Sequence, residues 1–397
     1  MLIALYAPII RKRTHMKIVH IISSMDPAFG GPPVVVANIS CAQAQLGHSV
    51  LILCHELSGN KSASDALLHG LPGSDQVGIQ EVPNRSFLTK VVGGELKTDL
   101  DTNLDDVDVI HIHGLWSPLG QWASVLARKR GIPYVVTVHG MLDPWCLRQK
   151  AIKKRLAFAA GYRKMLDGAL FIQAHSEREA NQAQEFGFKA PAIVIPNGVN
   201  PVQFDSLPAP GTFRALHPEL GGDQFILFLA RLHYKKGLDL LADGFGVLAQ
   251  HNKQVRLVVA GPSGDSEEGF RNQIQRLGLA PRVLMPGPIY GEEKLAALVD
   301  AACFCLPSRQ EGFSIAIVEA LAARLPVVLS ESCYFPQAAD NDAGIQTTLE
   351  AESIAAGLHQ VLDDQDHALL MGENGHNLVV SRYTWCNIGS QLIDAYQ

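Results

Sequence analysis

The sequence lacks the features that define several classes of protein. Charged residues make up only 18% of the chain, and the 33 lysines and arginines are fewer than the 39 aspartates and glutamates. A general nucleic-acid binder normally carries a strong basic excess, so this class is disfavoured. The seven cysteines are odd in number and scattered, which fits a reduced cytosolic compartment and not a disulfide framework. No apolar run reaches the ~18 residues that a membrane-spanning helix requires.

The remaining composition is typical of a globular protein with large buried cores. Hydrophobic residues make up 47% of the chain, and its 397 residues correspond to two or three domains of ~100–200 residues each. An apolar stretch at the very start is followed by Arg11, Lys12 and Arg13. A secretory signal has its positive charges before the apolar stretch. We therefore expect a cytoplasmic protein in which residues 1–15 are an extension that precedes the folded part.

Short apolar segments alternate with helix-length segments along the whole chain. Apolar residues are continuous within the short segments, for example Ile18–Ile22, Val107–His113 and Phe225–Leu229. This pattern predicts parallel strands covered by helices on both faces. We therefore predict an α/β protein with two doubly wound parallel-sheet domains, similar to Rossmann domains, that face each other across a cleft.

A segment rich in proline and glycine interrupts this alternation at residues 201–222. We interpret it as a linker between a first domain at 16–200 and a second domain at 223–380. Residues 381–397 predict a C-terminal helix that packs back on the first domain. Ligands of doubly wound sheets bind beyond the carboxyl ends of the strands, so a site is expected in the segments that follow the strands.

The segment Ser308–Leu321 follows a predicted strand and leads into a nearly all-apolar helix. Backbone amides at such a helix start bind anions such as a diphosphate. Glu311 and Glu319 are eight positions apart, which corresponds to ~12 Å along a helix axis. Glycosidase carboxylate pairs lie only ~5–9.5 Å apart, so we expect the two glutamates to bind different parts of one long ligand. A buried ion pair is the alternative interpretation of Glu319.

Two cations follow the first predicted strand of the second domain. Arg231 and Lys236 lie five positions apart, where the strand passes into a helix. Both side chains can bind a diphosphate and neutralise the charge that builds up on a leaving group. A solvated basic loop is the alternative, and it suits Lys235 better than Lys236.

Three histidines end two strands of the first domain. His111 and His113 precede Gly114, and His139 precedes Gly140. Because parallel strands end at one edge of a sheet, these side chains can converge in a cleft. A three-histidine metal site is one interpretation. No cluster of acidic ligands accompanies them, however, and we assign no metal to the protein. A purely structural role suits His111 better than His139.

The loop after the first strand contains Gly30 and Gly31. Adjacent glycines permit close approach of the backbone to a ligand at a helix start, and a tight turn is an equally good interpretation. The dinucleotide fingerprint of three spaced glycines and the Gly-Lys-Ser/Thr phosphate-binding loop are both absent from the sequence. We predict that the protein uses no cofactor.

The segment 148–164 contains seven basic residues and no acidic one. Asp143 and Pro144 supply a plausible helix start before it. In an acidic protein, such a helix is suited to an anionic membrane surface, and a solvated helix face is the alternative. The protein is therefore expected to bind peripherally to the inner face of the membrane.

Together these segments resemble the retaining glycosyltransferases of family 4, which have the two-domain GT-B fold. The matching segments cover residues 16–390 in the expected order: Gly30-Gly31, His139-Gly140, Ile195–Val199, Arg231, Lys236-Gly237, Ala260–Pro262 and Glu311–Glu319 continuing to Pro326-Val327. The glutamate pair with Arg231 and Lys236 upstream is the specific part of this signature. Residues 139–145 resemble the branch that acts in bacterial surface-polysaccharide assembly.

The resemblance implies a role for each matching residue. Arg231 and Lys236 would hold the nucleotide diphosphate and neutralise the charge that develops on it as it leaves. Glu319 would bind the ribose hydroxyls, and Glu311 would bind hydroxyls of the donor sugar. His139 would lie near the reacting sugar.

The resemblance also implies how the donor and acceptor react. Backbone amides of Gly312, Phe313 and Ser314 would contact the donor sugar and phosphate, and Gly30-Gly31 would belong to the same donor site. Such enzymes need no metal, and the leaving phosphate helps to deprotonate the acceptor. The implied reaction moves a sugar from a nucleotide-diphosphate donor to a glycan or lipid-linked acceptor, with retention of configuration.

Other functions remain open at this point. A sugar-nucleotide epimerase or a phosphorylase would share the fold. A metal hydrolase would use His111, His113 and His139, and a non-catalytic sugar-nucleotide binder would leave His139 without a role. The set of two cations and two glutamates favours the transferase.

Overall fold

The computed structural model of the chain describes residues 14–26, 29–55, 67–83 and 94–397. Residues 1–13 of the predicted extension lie outside these described residues. The chain divides into two compact units. Unit 1 comprises the described residues up to Asn197 together with Trp385–Gln397, and unit 2 comprises Gly198–Thr384.

Unit 1 is built on a parallel sheet of seven strands in the order β3-β2-β1-β4-β5-β6-β7. The strands are β1 (Lys17–Ile22), β2 (Ser49–His55), β3 (Val77–Val82), β4 (Val109–His113), β5 (Tyr134–Thr137), β6 (Ile172–Ala174) and β7 (Ala192–Val194). The central strands β4 and β5 are buried along their whole length. Burial on both faces explains why the sequence shows continuous apolar segments instead of alternation.

Unit 2 repeats this plan with six parallel strands in the order β10-β9-β8-β11-β12-β13. The strands are β8 (Phe225–Leu229), β9 (Arg256–Ala260), β10 (Val283–Gly287), β11 (Cys303–Leu306), β12 (Val327–Ser330) and β13 (Gly344–Thr347). The predicted class, α/β with two doubly wound parallel sheets, is confirmed.

Helices connect the strands of both sheets. In unit 1 they are α1 (Gly31–Gln45), α2 (Gly94–Asp101), α3 (Pro118–Arg130), α4 (Pro144–Arg148), α5 (Ala151–Ala157), α6 (Arg163–Asp167) and α7 (Glu177–Glu185). In unit 2 they are α8 (Val202–Asp205), α9 (Thr212–Leu216), α10 (Leu238–His251), α11 (Glu267–Arg276), α12 (Gly291–Asp300), α13 (Ile315–Ala322), α14 (Gln337–Asp340), α15 (Ala351–Asp363) and α16 (Gln365–Arg382). The last helix, α17 (Trp385–Tyr396), returns to unit 1.

The strand order reverses between β1 and β4 in unit 1 and between β8 and β11 in unit 2. In doubly wound sheets, ligands bind at this switch point, beyond the carboxyl ends of the strands. The loops after β8 and β11 carry Arg231, Lys236 and Glu311. The predicted donor-site residues of unit 2 therefore lie where this topology places a ligand.

Residues 201–222 differ from the predicted linker. They form the short helices α8 and α9 and a further 3-10 turn. Phe204, Phe213 and Leu220 are buried in the hydrophobic core of unit 2. Proline and glycine shape the turns of this segment, but its apolar side chains make it part of the domain.

The predicted basic helix at 148–164 is also interrupted. Helix α4 ends at Arg148, and Lys150 has a left-handed φ of 54° before α5 begins. A π-helical turn at Phe158–Tyr162 then contains Gly161 with φ 126°. A side chain at position 161 would collide with Gln121, because the added Cβ would lie 2.6 Å from its Nε2. Among the described residues, no helix is long and apolar enough to cross a membrane.

Candidate active site

The loop after β8 presents one exposed cation and one half-buried cation. The structure gives the Arg231 guanidinium no hydrogen-bond or ion-pair partner among the described residues, and this residue is exposed. Lys236 ends a 3-10 turn and precedes Gly237, which has a φ of 68°. A Cβ at Gly237 would lie 2.0 Å from the carbonyl oxygen of Pro307. The close approach of this loop to the end of β11 therefore requires glycine.

Lys236 forms a two-point ion pair with Glu311. Its Nζ donates to Oε1 at 2.7 Å and to Oε2 at 2.8 Å. The Ser308 hydroxyl also donates to Oε1, at 2.5 Å. The Glu311 side chain is only 6% exposed, so the charge it carries is stabilised by these partners and not by water. Sequence reasoning named both ends of this pair but did not predict that they bind each other.

The same loop is held by a second pair that the sequence did not reveal. Arg309 donates to the carboxylate of Asp239 through two bonds of 2.7 and 2.6 Å. Its guanidinium also lies 4.4 Å from the ring centroid of Tyr234. Hydrogen bonds from Arg309 lower the pKa of Asp239. Arg309 thereby joins the loop after β11 to the first turn of α10, and its bond to the carbonyl of Tyr234 (3.2 Å) joins it to the loop after β8.

Glu311 and Glu319 do not lie on one helix, so the ~12 Å estimate along a helix axis does not apply to them. Helix α13 begins only at Ile315, and Glu311 belongs to the preceding turn. The turn contains Gly312, which is exposed, and Phe313, whose ring centroid lies 6.2 Å from that of Phe335. Residues 312–314 therefore form the turn between Glu311 and α13, and Ile315–Val318 already belong to the helix that carries Glu319.

This loop also leaves backbone donors available. The amides of Gly312, Phe313 and Ser314 donate to no backbone carbonyl within the described ranges. Ser314 occupies the N-cap of α13, but its hydroxyl accepts no hydrogen bond from the helix amides. Consecutive unpaired N–H groups at a helix start are suited to bind an anion.

Glu319 forms an ion pair with Lys294 of helix α12. The distance from Nζ to Oε1 is 2.6 Å, and the two side chains are 24% and 14% exposed. In the sequence, Glu319 stands out as the single acidic residue of an apolar helix. Such a residue is expected to have a charged partner, but the sequence does not show which residue the partner is. The alternative interpretation of Glu319, an ion pair, is therefore what the structure contains, and Lys294 is the partner that sequence reasoning did not identify.

The predicted glycine loop of unit 1 lies at the start of α1, beyond the carboxyl end of β1. A Cβ at Gly30 or Gly31 would meet nothing within 4 Å, and Gly30 has a φ of 94°. Pro32 and Pro33, which follow, have no N–H group. This helix start therefore has fewer backbone N–H donors than most. The two glycines permit a ligand to approach the backbone closely, but they are less suited to bind a phosphate group.

His139 follows β5 in unit 1 and has a left-handed backbone, with φ 48°. Its ring lies between two other histidines, with Nε2 3.3 Å from Nδ1 of His113 and Nδ1 3.3 Å from Nε2 of His175. Burial lowers its pKa well below the ordinary histidine value, which favours the neutral ring. His20 and His175, which complete this row, were not singled out from the sequence.

The structure groups a different set of histidines from His111, His113 and His139, the set considered above as one interpretation for a metal site. The ring nitrogens that lie within 4.8 Å of one another belong to His20, His111 and His113. Both nitrogens of each of these rings are already hydrogen-bonded, for example His111 to Tyr396 and Thr137. A metal ion would have to break several of these bonds, so the donor set does not favour metal binding.

Glu179 ties the His139 loop to the neighbouring strand. The segment Ser176–Glu179 resembles a capping box, and the Ser176 hydroxyl does accept from the Glu179 amide. The Glu179 carboxylate, however, accepts from the amides of Gly140 and His175 instead of reaching back to the helix start. Glu179 is 3% exposed, and its two bonds hold Gly140 beside His175.

The structure therefore assembles part of the predicted site within each unit. In unit 2, Lys236 binds Glu311. Two loops flank the switch point: the loop after β8 carries Arg231, and the loop after β11 carries the amides of Gly312, Phe313 and Ser314. Gly30, Gly31 and His139 lie in unit 1, beyond the carboxyl ends of β1 and β5.

Two family models match the chain along most of its length. "Glycosyltransferase Family 4" matches residues 29–203, and "Glycosyl transferases group 1" matches residues 212–378. The two parallel sheets and the position of the cations and glutamates define the class of GT-B glycosyltransferases. The chain belongs to the family 4 glycosyltransferases.

Curated relatives are similar over nearly the full chain. An uncharacterized glycosyltransferase of Methanocaldococcus jannaschii is 28% identical over 377 residues, which is 92% of this chain and 95% of the relative. The GDP-mannose:cellobiosyl-diphosphopolyprenol alpha-mannosyltransferase of Xanthomonas oryzae is 28% identical, with 96% of each chain covered.

Solved structures share the fold. The Anabaena protein HepE in complex with UDP and glucose superposes with a TM-score of 0.75 at 20% identity, covering 96% of this chain and 99% of HepE. WaaG, a glycosyltransferase involved in lipopolysaccharide biosynthesis, gives a TM-score of 0.65 at 16% identity, with coverage of 96% and 99%.

Proposed function

We propose that the protein is a retaining, metal-independent hexosyltransferase that moves a sugar from a nucleotide-diphosphate donor to a glycan or lipid-linked acceptor in polysaccharide biosynthesis. One observation carries this proposal. Arg231, which has no side-chain partner in the part of the chain that the structure describes, and the Lys236–Glu311 pair lie in the two loops that flank the switch point of one sheet. This arrangement offers positive charge to a diphosphate and a carboxylate to a sugar.

The donor diphosphate binds cations that already lie in place. An ammonium group has three hydrogens, and Lys236 donates two of them to Glu311. The third ammonium hydrogen of Lys236 binds a phosphate oxygen, and the guanidinium of Arg231 binds others. The backbone amides of Gly312, Phe313 and Ser314 also donate to the phosphate oxygens. These groups stabilise the charge that develops on the leaving diphosphate without a metal ion.

The two glutamates bind opposite parts of the donor. A carboxylate has about four acceptor positions, and Glu311 uses three for Lys236 and Ser308. The remaining position accepts from a hydroxyl of the donor sugar. Glu319, fixed by Lys294, accepts from the ribose hydroxyls. The leaving phosphate takes the proton of the acceptor.

Thermal unfolding in the presence of nucleotides tests the donor site. We expect one of UDP, GDP or ADP to stabilise the protein with chelator present, by about 2.7 kcal/mol at 100 times its dissociation constant. Arg231→Ala should remove most of this shift, and the exposed control Arg276→Ala should keep it. The proposal fails if none of the three nucleotides shifts the transition, or if all shifts need a divalent ion.

Product analysis separates transfer from the alternatives. A retaining transferase forms a product with the anomeric configuration of the donor only when an acceptor is present. An epimerase would convert the sugar nucleotide without an acceptor, and a phosphorylase would require inorganic phosphate. The relative from Xanthomonas oryzae is named for a diphosphopolyprenol-linked acceptor, so lipid-linked glycans are the first acceptors to assay.

A groove in unit 1 supports the proposed contact with an anionic membrane. It has a volume of about 460 Å³ and is lined by Arg148, Lys154, Arg155, Arg163 and three phenylalanines. On the same segment, Ile152 and Leu156 are 75% and 65% exposed. Cations next to exposed apolar side chains are suited to a surface of anionic lipid.

Charge reversal tests this contact. Lys153→Glu with Arg155→Glu should weaken binding to vesicles that contain phosphatidylglycerol, because each cation near such a surface contributes about 1 kcal/mol. Lys154 is left unchanged because its ammonium donates to the Cys146 carbonyl. The control reverses two exposed cations of unit 2, Lys253 and Arg276. Unchanged vesicle binding of the Lys153/Arg155 variant would refute the membrane proposal and leave the transferase proposal intact.

A further inference from the structure

The groove of unit 1 is lined by cations and by apolar side chains together. Its volume of about 460 Å³ lies within the ~300–1,000 Å³ of pockets that bind small molecules. Helix α4 contributes to the lining and begins directly after the loop that follows β5. One end of the groove therefore lies near the carboxyl edge of the sheet, where doubly wound domains bind their ligands.

Three of the lining cations have no acidic partner. Within the described ranges, Arg148, Lys154 and Arg155 form no ion pair, and the structure gives the Arg155 side chain no hydrogen bond. Arg148 has one long contact, from its Nε to the Pro144 carbonyl at 3.4 Å. Lys154 donates one ammonium hydrogen to the Cys146 carbonyl, so two remain. The groove therefore has three positive charges with N–H donors available to a ligand.

The fourth lining cation, Arg163, is held in place by the protein itself. It donates to the Gly187 carbonyl at 2.8 Å, and its Nε lies 3.5 Å from the Asp167 carboxylate. Its guanidinium also lies 5.3 Å from the ring centroid of Phe188. Because Asp167 offsets the charge of Arg163, the other three cations supply the charge that a ligand meets.

This charge is matched best by a terminal phosphate group. A phosphodiester, as in a common phospholipid, carries one negative charge. A phosphate monoester carries about 1.5–2 negative charges at pH 7, and a diphosphate carries more. Three cations are therefore better neutralised by a terminal phosphate or diphosphate than by a phosphodiester.

Phenylalanine side chains supply most of the apolar surface of the groove. The ring centroid of Phe188 lies 5.7 Å from that of Phe186 and 6.2 Å from that of Phe158. All three residues line the groove and are only partly buried. A free inorganic anion would leave this aromatic surface in water, whereas a hydrocarbon chain would cover it. The lining therefore fits an anionic group that is joined to an apolar chain.

Helix α5 extends the apolar surface beyond the groove. Its residues Ala151, Lys154 and Arg155 line the groove at helical spacing. On the same helix, Ile152 and Leu156 are exposed. A chain that is too long for the groove can therefore continue along apolar surface next to the cations.

We propose that this groove binds the terminal phosphate or diphosphate of a single-chain lipid. Arg148, Lys154 and Arg155 donate to the phosphate oxygens, and the three phenylalanines cover the first part of the chain. Such a site holds one lipid molecule, whereas an anionic membrane surface attracts the basic segment as a whole. That the lipid is part of the sugar acceptor rests on the proposed function, but the binding of the lipid does not.

Isothermal titration calorimetry with small probes and chelator tests the site. Geranyl diphosphate has both parts of the ligand, inorganic pyrophosphate lacks the chain, and geraniol lacks the charge. We expect geranyl diphosphate to bind at least tenfold more tightly than either of the others, because only this probe contacts the cations and the phenylalanines together.

A fourth probe separates a lipid phosphate from an ordinary phospholipid headgroup. Dihexanoylphosphatidylglycerol, used below the concentration at which it forms micelles, has a phosphodiester with a single negative charge. We expect it to bind at least tenfold more weakly than geranyl diphosphate. Equal or tighter binding would assign the groove to membrane headgroups and overturn the proposal.

Removing two cations tests the assignment to this groove. Arg148→Gln combined with Arg155→Gln should weaken the binding of geranyl diphosphate about 100-fold, with a factor of about ten for each charged contact. The matched control is Lys129→Gln combined with Lys189→Gln, which removes two exposed cations of unit 1 that do not line the groove. The control should bind like the wild type. Circular dichroism checks the fold of both variants, and the four probes on the wild type give an independent result.

The remaining outcomes separate this inference from the transferase proposal. Equal affinities for pyrophosphate and geranyl diphosphate would mean that the groove binds no chain, and unchanged binding in the Arg148/Arg155 variant would mean that the ligand binds elsewhere. Either result overturns the inference. These titrations contain no nucleotide, so the transferase proposal would stand. If geranyl diphosphate binds as expected but no nucleotide shifts the thermal transition, the transferase proposal fails and the lipid site stands.

Discussion

Replacing Glu311 by glutamine should lower kcat/KM for sugar transfer about 1000-fold. The variant keeps the shape of the side chain but removes the charge that binds Lys236 at two points. An amide has one oxygen and cannot reproduce both contacts, so Lys236 loses the position from which it binds the diphosphate. A single misplaced electrostatic contact costs about 100- to 1000-fold in rate, and here a sugar contact is lost as well. Steady-state assays with the donor identified by thermal shift measure the effect.

The control for this variant is Glu331→Gln. Glu331 is exposed at the end of β12 and has the same chemistry, so its activity should match the wild type. Lys236→Ala should match Glu311→Gln within an order of magnitude, because each removes one half of the same pair. Full activity in either active-site variant would contradict the assignment of the donor site.

Gly261→Ala should lower the free energy of unfolding by about 2–6 kcal/mol. The residue follows β9 with φ 147°, and an added Cβ would lie 1.9 Å from the carbonyl oxygen of Ala230. Strain at such a φ costs about 1–3 kcal/mol and overpacking a further 1–3 kcal/mol. Urea unfolding followed by far-UV circular dichroism measures the shift of the midpoint.

The contrasting variant is Gly269→Ala. Gly269 lies on the exposed side of α11, where an added Cβ meets nothing within 4 Å. Alanine favours a helix by about 0.5–1 kcal/mol over glycine, so this variant should be slightly more stable than the wild type. If both substitutions shift the midpoint equally, close packing against Ala230 is not the reason that position 261 carries glycine.

The strands of both sheets were predictable where burial is complete. The prediction for Phe225–Leu229 matches the structure residue for residue, and all five of its residues are buried. Strand β13, with the sequence Gly-Ile-Gln-Thr, was missed because it lies at the edge of its sheet and is only partly buried. The breaks in the basic segment lie at Lys150 and Gly161, which have positive φ values, and no sequence pattern singled out these two positions.

The candidate site was predictable only for residues in the segments after the strands. Arg231, Lys236, Glu311 and Glu319 stand out because charge is rare in such apolar surroundings. Their partners Ser308 and Lys294 do not, because serine and lysine are ordinary where they occur in the sequence. Gln43 donates a hydrogen bond to Tyr396, which is far away in the sequence. The spacing of residues along the chain cannot predict a contact between residues so far apart.

The last helix has a consequence for the order in which the protein folds during synthesis. Helix α17 buries Trp385, Ile388, Leu392 and Tyr396 against the core of unit 1, although the whole of unit 2 precedes it in the chain. While the ribosome is still translating unit 2, unit 1 has an open apolar face, and His111 and Gln43 lack their hydrogen-bond partner Tyr396. Unit 2, which is continuous in sequence, can finish folding first, whereas unit 1 waits for α17 to be synthesised despite emerging earlier. Apolar surface of this kind is aggregation-prone while it is exposed, so the nascent chain is most vulnerable on its first domain and not on its last.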